Sequence, residues 1–160
     1  MKLYHGSTSI IRQPQLLIPT RTLDYGSGFY TTTSEEQARN WALNKLRDNQ
    51  TCNFVNVYEI EEADLNKVKV LRFDGPSDEW IDFVMHNRQD ETFRHDYDIV
   101  FGPVANDRVY VQFSLYEQGF ISKETLLSEL KVYKLVDQML FHTEKAIQLL
   151  RFIEAKEICK

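Results

Sequence analysis

The sequence predicts an α+β domain. Short β-prone runs and stretches of helical periodicity are interspersed along the chain without the strict strand–helix–strand rhythm of a doubly wound parallel sheet. The 160 residues also contain no internal repeat, low-complexity tract or Pro/Gly-rich linker at which to divide them. Residues 1–160 are therefore expected to form one domain, large enough to bury its own core. Hydrophobic residues make up 42% and charged residues 27%, a globular balance rather than a disordered one.

The elements follow in order. Residues 2–6 are β-prone, and residues 7–27, interrupted by Pro14 and Pro19, lack periodicity and are expected to form a loop. Gly26 and Gly28 frame Phe29-Tyr30-Thr31-Thr32, a short strand. Ser34 with Gln37 three residues later forms a capping box, and Glu35 and Glu36 suit the positive end of a helix dipole. Ala38, Trp41, Ala42 and Leu46 then recur at helical spacing, which predicts an amphipathic helix over 35–48. Strands are expected at 54–60, around Phe54, Tyr58 and Ile60, and at 68–73. Gly75-Pro76-Ser77 opens a helix to about Arg88, with Trp80, Ile81, Val84 and Met85 on one face.

The polar run 89–96 is expected to be a solvated turn. Residues 98–101 form a short buried strand ended by Gly102-Pro103, and a helix near 108–118 is stopped by Gly119. Ser122 caps a helix to about Lys134 with Leu126, Leu127, Leu130 and Tyr133 inward. Residues 138–141 are a strand, Thr143 caps a helix through Leu150, and 152–158 form a last strand. Tyr97, Tyr110 and Tyr116 are taken as packing residues.

The formal net charge of −5 argues against a broad, sequence-blind grip on nucleic acid, which needs many Lys and Arg contacts to phosphate. Cys52 and Cys159 are expected to be free thiols, because no secretory signal precedes them. No window approaches the ~20 apolar residues of a membrane span, so the expected compartment is the cytoplasm. There is no P-loop, no G-x-G-x-x-G after a strand and no G-x-S-x-G elbow. The four histidines, His5, His86, His95 and His142, lack paired-ligand spacing, so no metal site is expected.

Three stretches remain: Tyr4-His5-Gly6-Ser7, Gly26-Ser27-Gly28-Phe29-Tyr30-Thr31-Thr32, and Asp137-Gln138-Met139-Leu140-Phe141. Their order resembles the three strands that carry the His–Tyr–Glu set of ADP-ribosyltransferases of the diphtheria-toxin and poly(ADP-ribose) polymerase lineage. With the Gly102-to-Asp107 segment G-P-V-A-N-D, the chain is similar over nearly its whole length to a bacterial family of ADP-ribosyltransferase-like domains of formerly unknown function. The resemblance implies a split β-sheet core with flanking helices, and NAD as co-substrate.

It also implies site residues. His5 would accept or donate a hydrogen bond at an NAD ribose hydroxyl. Gly6 would let its backbone approach the nicotinamide carboxamide. Tyr30 would stack on the nicotinamide ring, and Trp41, eleven residues later, would close an aromatic sandwich. Ser7, Gly28, Phe29, Thr31, Asn106 and Asp107 complete the expected binding set; Asn106-Asp107 also reads as a helix N-cap.

Gln138 stands where the catalytic Glu aligns. A neutral amide can hydrogen-bond a ribose 2′-hydroxyl but cannot stabilise a cation by charge or take a proton. Three alternatives stay open: a self-sufficient nucleophile, a surrogate carboxylate such as Asp107 or Glu117, or binding without turnover. Asp137 and Glu144 lie close enough in sequence to shift the alignment.

The expected function is thus NAD-dependent mono-ADP-ribosylation, with His5, Tyr30 and Gln138 as the catalytic set. A protein target is expected first, with nucleic acid or a small molecule as alternatives, and no membrane partner. The resemblance further implies a toxin of a toxin–antitoxin pair or a defence effector, with an antitoxin or immunity partner. The competing readings are an NAD- or ADP-ribose-binding module and an NAD glycohydrolase. An RNA 2′-phosphotransferase is disfavoured, because no cluster of Arg and His for a phosphate stands out.

Overall fold

A computed structural model describes residues 1–16, 25–104, 107–132 and 135–160, with the side chains of Asp107 and Arg108 outside the description. The predicted α+β mixture is present, as two open sheets with helices on their outer faces. The first sheet has the order β1-β3-β7, from β1 (Lys2–Ser7), β3 (Cys52–Glu59) and β7 (Arg151–Cys159), all antiparallel. The second has the order β2-β6-β5-β4, from β2 (Phe29–Thr31), β4 (Val70–Arg72), β5 (Ile99–Pro103) and β6 (Asp137–Phe141). Within it only β4 and β5 run parallel. The sheets touch at a bridge between Tyr4 and Thr32, whose backbone groups exchange hydrogen bonds of 2.8 and 2.9 Å.

Side-chain alternation explains the layers. In β5 and β6, Ile99, Met139 and Phe141 turn towards the first sheet and pack with its Leu3 and Tyr58. The intervening Val100 and Leu140 turn the other way, towards Trp80, Phe113 and Leu126 on the helices α2 (Asp78–Gln89), α3 (Asp107–Glu117) and α4 (Lys123–Val132). A sheet covered on both faces needs this near-continuous apolar run. The outer face of the first sheet presents Val55, Val57 and Ile158 to Ala38 and Ala42 of α1 (Glu35–Asn44). The core is therefore three apolar layers separated by two sheets.

The hydroxyl caps stand where the sequence predicts, but the capping box at Ser34 is only half made, because the Ser34 N–H donates to Thr32 Oγ1 and not to the Gln37 side chain. Ser34, Ser77, Ser122 and Thr143 each accept a backbone N–H from the first turn of α1, α2, α4 and α5 (Glu144–Ile147). Gly119, at φ 78°, stops α3 in a conformation that other residues disfavour. Trp80, Ile81, Val84 and Met85 are all buried. Among the expected packing tyrosines, Tyr97 and Tyr116 join that core, while Tyr110 stays exposed.

Several boundaries move. The first helix ends at Asn44, not 48, because Lys45 and Leu46 close it with bonds to Trp41 and Leu43 carbonyls. A 3-10 helix, Glu62–Lys67, precedes β4, which is only Val70–Arg72. Gly102 and Pro103 do not end β5 but belong to it, paired with Gln138 and Asp137. The proline is tolerated because β4 pairs only as far as Phe101, so the far side of β5 needs no ladder donor there. The helix after Thr143 is one turn, Glu144–Ile147. Residues 17–24, Asn106 and Tyr133 lie outside the described residues.

The largest correction concerns the cysteines. Cys52 and Cys159 are not free thiols but a disulfide. They sit directly opposite each other in the β3–β7 pairing, with Cα atoms 4.1 Å apart, where antiparallel geometry brings side chains closest. The strand pairing that makes them neighbours is a tertiary event over 107 residues of sequence. No helix among the described residues is long and apolar enough to cross a membrane.

Candidate functional site

Where the two sheets part, a small cleft open to solvent is lined by residues from every element that meets there. Strand β1 supplies Tyr4, His5 and Gly6; β2 and the residue after it supply Tyr30, Thr31 and Thr32. Helix α1 supplies Gln37, Ala38 and Trp41, β6 supplies Gln138, and Val104 follows β5. The expected His5, Gly6, Tyr30, Thr31, Trp41 and Gln138 are thus brought together.

His5 Nδ1 lies 2.6 Å from the Tyr30 carbonyl oxygen. A carbonyl only accepts, so Nδ1 carries the proton and the neutral ring keeps a lone pair on Nε2. Burial, opposed by that hydrogen bond and aided by the Lys45 charge, lowers its pKa to about 4. The ring stacks on Phe29, with centroids 4.5 Å apart. At neutral pH the residue is a hydrogen-bond acceptor held in a fixed orientation, not a cation.

Tyr30 donates its hydroxyl to the Gly26 carbonyl at 2.6 Å, which fixes the ring from its far end. The preceding turn is itself anchored: Tyr25 donates to the Pro103 carbonyl and accepts from Trp80 Nε1. Trp41, expected to close an aromatic sandwich, is 43% exposed at the cleft, with Lys45 Nζ 5.3 Å from its ring centroid. Lys45 Nζ also donates to the Gly6 carbonyl at 3.4 Å. A cation therefore stands beside the cleft.

Gln138 is only 5% exposed. Among the described residues its side-chain amide has no hydrogen-bond partner, and it borders the cleft. Its polar atoms are not sealed from solvent: among the described residues the sealed side-chain atoms without a partner are Asn53 Oδ1 and His142 Nε2. A ligand hydroxyl in the cleft would therefore replace water at the amide. No described residue lining the cleft carries a carboxylate. Of the acids considered as surrogates, Glu117 is paired with Arg88 at 2.6 Å between α2 and α3. Asp137 accepts from the Thr33 hydroxyl at 2.8 Å, and Glu144 is exposed on α5. The Asp107 side chain and the whole of Asn106 lie outside the described residues.

Three expected binding residues stand elsewhere. Phe29 is buried behind His5 and edge-on to Tyr58, so it supports the imidazole from the core side. Gly28 is not at the cleft: a Cβ there would come within 2.8 Å of the Phe141 carbonyl oxygen, so the glycine serves the close passage of β6. Ser7 is buried and accepts from the Ser9 amide. Gly6 does line the cleft, but the side where its Cβ would stand is filled by α1.

Sequence reasoning did not single out Tyr4, Thr32, Gln37, Ala38 and Val104 as cleft residues. Gln37 carried a usable signal: it lies four residues before Trp41 and so on the same helix face. It was read only as a capping residue. Cys52, Glu157 and Cys159 hold their ligand atoms within 4.8 Å of one another, but the two sulfurs are bonded to each other and are not thiolate ligands in this state.

The buried imidazoles predict an acid sensitivity. His142, whose Nδ1 lies 2.7 Å from the Ser27 carbonyl, also has its pKa lowered to about 4 by burial. Both rings are neutral in the folded state, while the unfolded chain protonates near 6.5. Their contribution is therefore fully present above about pH 6.5 and is lost as pH falls towards 4, at up to about 1.4 kcal/mol per pH unit for each. Urea unfolding at pH 7, 6, 5 and 4 should show the midpoint falling across this window. Asp90, Asp96 and Asp98, shifted down from 3.8, act below it. A midpoint constant from pH 6.5 to 4 would show that the imidazoles are solvated.

A family model described as a protein of unknown function, DUF3990, matches residues 1–152. No curated protein matches the chain.

Proposed function

The chain belongs to the DUF3990 family, to which no function is assigned, and we propose that its cleft binds NAD and transfers a single ADP-ribose to a macromolecular acceptor. The observation that carries this reading is the convergence of His5, Tyr30, Trp41 and Gln138, from four separate elements, on one cleft. The His5 Nε2 lone pair accepts from a ribose hydroxyl. Tyr30 and Trp41 provide aromatic surfaces for the nicotinamide, each stacking contact being worth on the order of 1 kcal/mol beyond burial. The Gln138 amide meets the 2′-hydroxyl.

In the reaction the bond between the ribose C1′ and the nicotinamide nitrogen breaks. Its electron pair leaves on nitrogen as neutral nicotinamide, and the acceptor's nucleophile bonds to C1′ and gives up its proton to solvent. The transition state is oxocarbenium-like, so positioning and charge stabilisation carry the catalysis. The core built here would then be an ADP-ribosyltransferase split sheet. The biological role that goes with this reading is a toxin or defence effector acting on a protein, restrained by an antitoxin or immunity partner.

A second reading has its own observation. Gln138 is neutral, and no described residue lining the cleft supplies a carboxylate. This favours a module that binds NAD or ADP-ribose without turning it over.

The test is incubation of the purified chain with labelled NAD, with and without cell lysate. Nicotinamide release and label on macromolecules are followed, and NAD affinity is measured beside them. We expect saturable binding, weakened about tenfold in each of His5→Ala and Tyr30→Ala, consistent with the loss of one hydrogen bond or one stacking contact. Label on a macromolecule that disappears in both variants supports the transferase. Nicotinamide without label means that water is the acceptor, a glycohydrolase. Binding without nicotinamide leaves the binding module. Absence of NAD binding overturns all of these.

A further inference from the structure

Strand β7 and the start of β3 hold α1 at both of its ends. At the first turn, Lys156 Nζ of β7 meets Glu35 Oε1 at 2.6 Å. Near the last turn, Asn53 of β3, only 1% exposed, donates its Nδ2 to the Ala42 carbonyl at 2.8 Å. Asn53 directly follows Cys52, and the Asn53 Oδ1 has no partner among the described residues. The amide is therefore held to α1 by one hydrogen bond and by the rigidity of the backbone that carries it. Immediately beside it the Cys52–Cys159 bond closes the end of the β3–β7 ladder, where Lys160 N donates to the Thr51 carbonyl at 3.2 Å. Helix α1 carries Gln37, Ala38 and Trp41 of the cleft.

We propose that Cys52–Cys159 is a thiol–disulfide exchange site whose opening loosens the last turn of α1 and with it the Trp41 side of the cleft. The geometry fits exchange: Cys159 is exposed and Cys52 half-buried, at the end of a sheet rather than inside the core. The reactant is a dithiol. Its thiolate attacks Cys159 Sγ, the sulfur–sulfur bond breaks, and its electron pair leaves on Cys52 as a thiolate. The second thiol of the reductant then attacks the mixed disulfide, releasing Cys159 and leaving the reductant as its own disulfide. Two electrons and two protons pass to the protein. Where dithiol buffers are reducing, the site opens; in oxidising surroundings it stays closed. With the clasp open, the terminal pairs of β3 and β7 fray, because strand ends without a covalent tie are the first to open. Asn53 then loses its fixed position under Ala42.

This inference is independent of what the cleft binds, and its test needs no nucleotide. Amide hydrogen exchange is measured on the full chain, oxidised and after treatment with dithiothreitol, with thiol alkylation reporting the redox state. The double variant Cys52→Ser/Cys159→Ser is measured in both buffers. We expect amides of 41–45 to exchange at least tenfold faster in the reduced chain and in the double variant. Amides of β5 and β6 should be unchanged, and the double variant should not respond to dithiothreitol. Acceleration confined to 155–160 would overturn the proposal, since the clasp would then not reach α1. So would uniform acceleration of the whole chain, a disulfide that resists dithiothreitol in the folded protein, or a double variant that still responds to it.

Discussion

Gly6→Ala is expected to lower the free energy of unfolding by about 3 kcal/mol, while Gly75→Ala leaves it within about 0.5 kcal/mol. A Cβ on Gly6 would lie 2.3 Å from the Ala38 carbonyl oxygen and 2.9 Å from the Ala42 amide nitrogen. Both are helix backbone, so no side chain can swing aside; α1 must lift from β1 as a body. At Gly75 nothing stands within 4 Å of the added carbon and φ is not positive. The pair separates a packing cost from a general glycine effect, because both changes remove the same freedom from the unfolded chain. Urea unfolding of the two variants measures it. A Gly6→Ala protein as stable as the wild type would mean that α1 does not approach β1 as closely as described. Lifting α1 also moves Gln37 and Trp41, so ligand affinity should fall with stability.

Local signals made most of the architecture legible. Helix starts were readable because a hydroxyl cap is chosen within three residues of the amide it satisfies, as Ser34, Ser77, Ser122 and Thr143 are. Helix α2 was readable because Trp80, Ile81, Val84 and Met85 fall on one face. What failed depended on partners distant in sequence. Gly102 and Pro103 continue β5 because Gln138 and Asp137 lie opposite them, and no local rule reveals that. The 3-10 helix Glu62–Lys67 buries no residue, so it leaves no apolar pattern to read. The cysteines were misread because their pairing is a property of the β3–β7 register and not of their spacing.

The candidate site divides along the same line. His5, Tyr30 and Trp41 were named from motifs and do share a cleft. Gly28 and Phe29, two and one residues before Tyr30, do not. In a strand, neighbours face opposite sides; Phe29 goes to the core under His5 while Tyr30 borders the cleft. A motif identifies a segment, but its members reach the cleft only where the strand borders it, as Tyr30, Thr31 and Thr32 do in succession. Gly6 adds a different lesson. It is where the motif places it, yet its bare Cα is demanded by α1 as well, so a glycine at a cleft can serve packing and access together.

Gln138→Glu should raise nicotinamide release on the order of 100-fold, the scale of one well-placed charged catalytic group. The substitution is nearly isosteric and changes an acceptor–donor amide into a group that is negative when ionised. In wild type the developing positive charge on the ribose meets only neutral lining groups among those described: His5 held neutral, Tyr30, Gln37 and Gln138. A carboxylate there would supply the missing opposite charge. Burial raises a carboxyl group's pKa, so the gain should grow with pH across the range where the new group ionises. The cost is stability, about 1–3 kcal/mol for a poorly solvated polar group without a full set of partners. Gln138→Met, which removes the unpaired amide and keeps its volume, should instead leave stability unchanged or raised while still binding nicotinamide surfaces. The measurement is nicotinamide release at several pH values, with NAD affinity measured on the same samples. If the glutamate variant binds NAD as tightly as wild type but releases no more nicotinamide at any pH, position 138 does not face the reacting carbon. Its correspondence to a catalytic carboxylate would then fail, while a binding role for His5, Tyr30 and Trp41 would still stand on the affinity data alone.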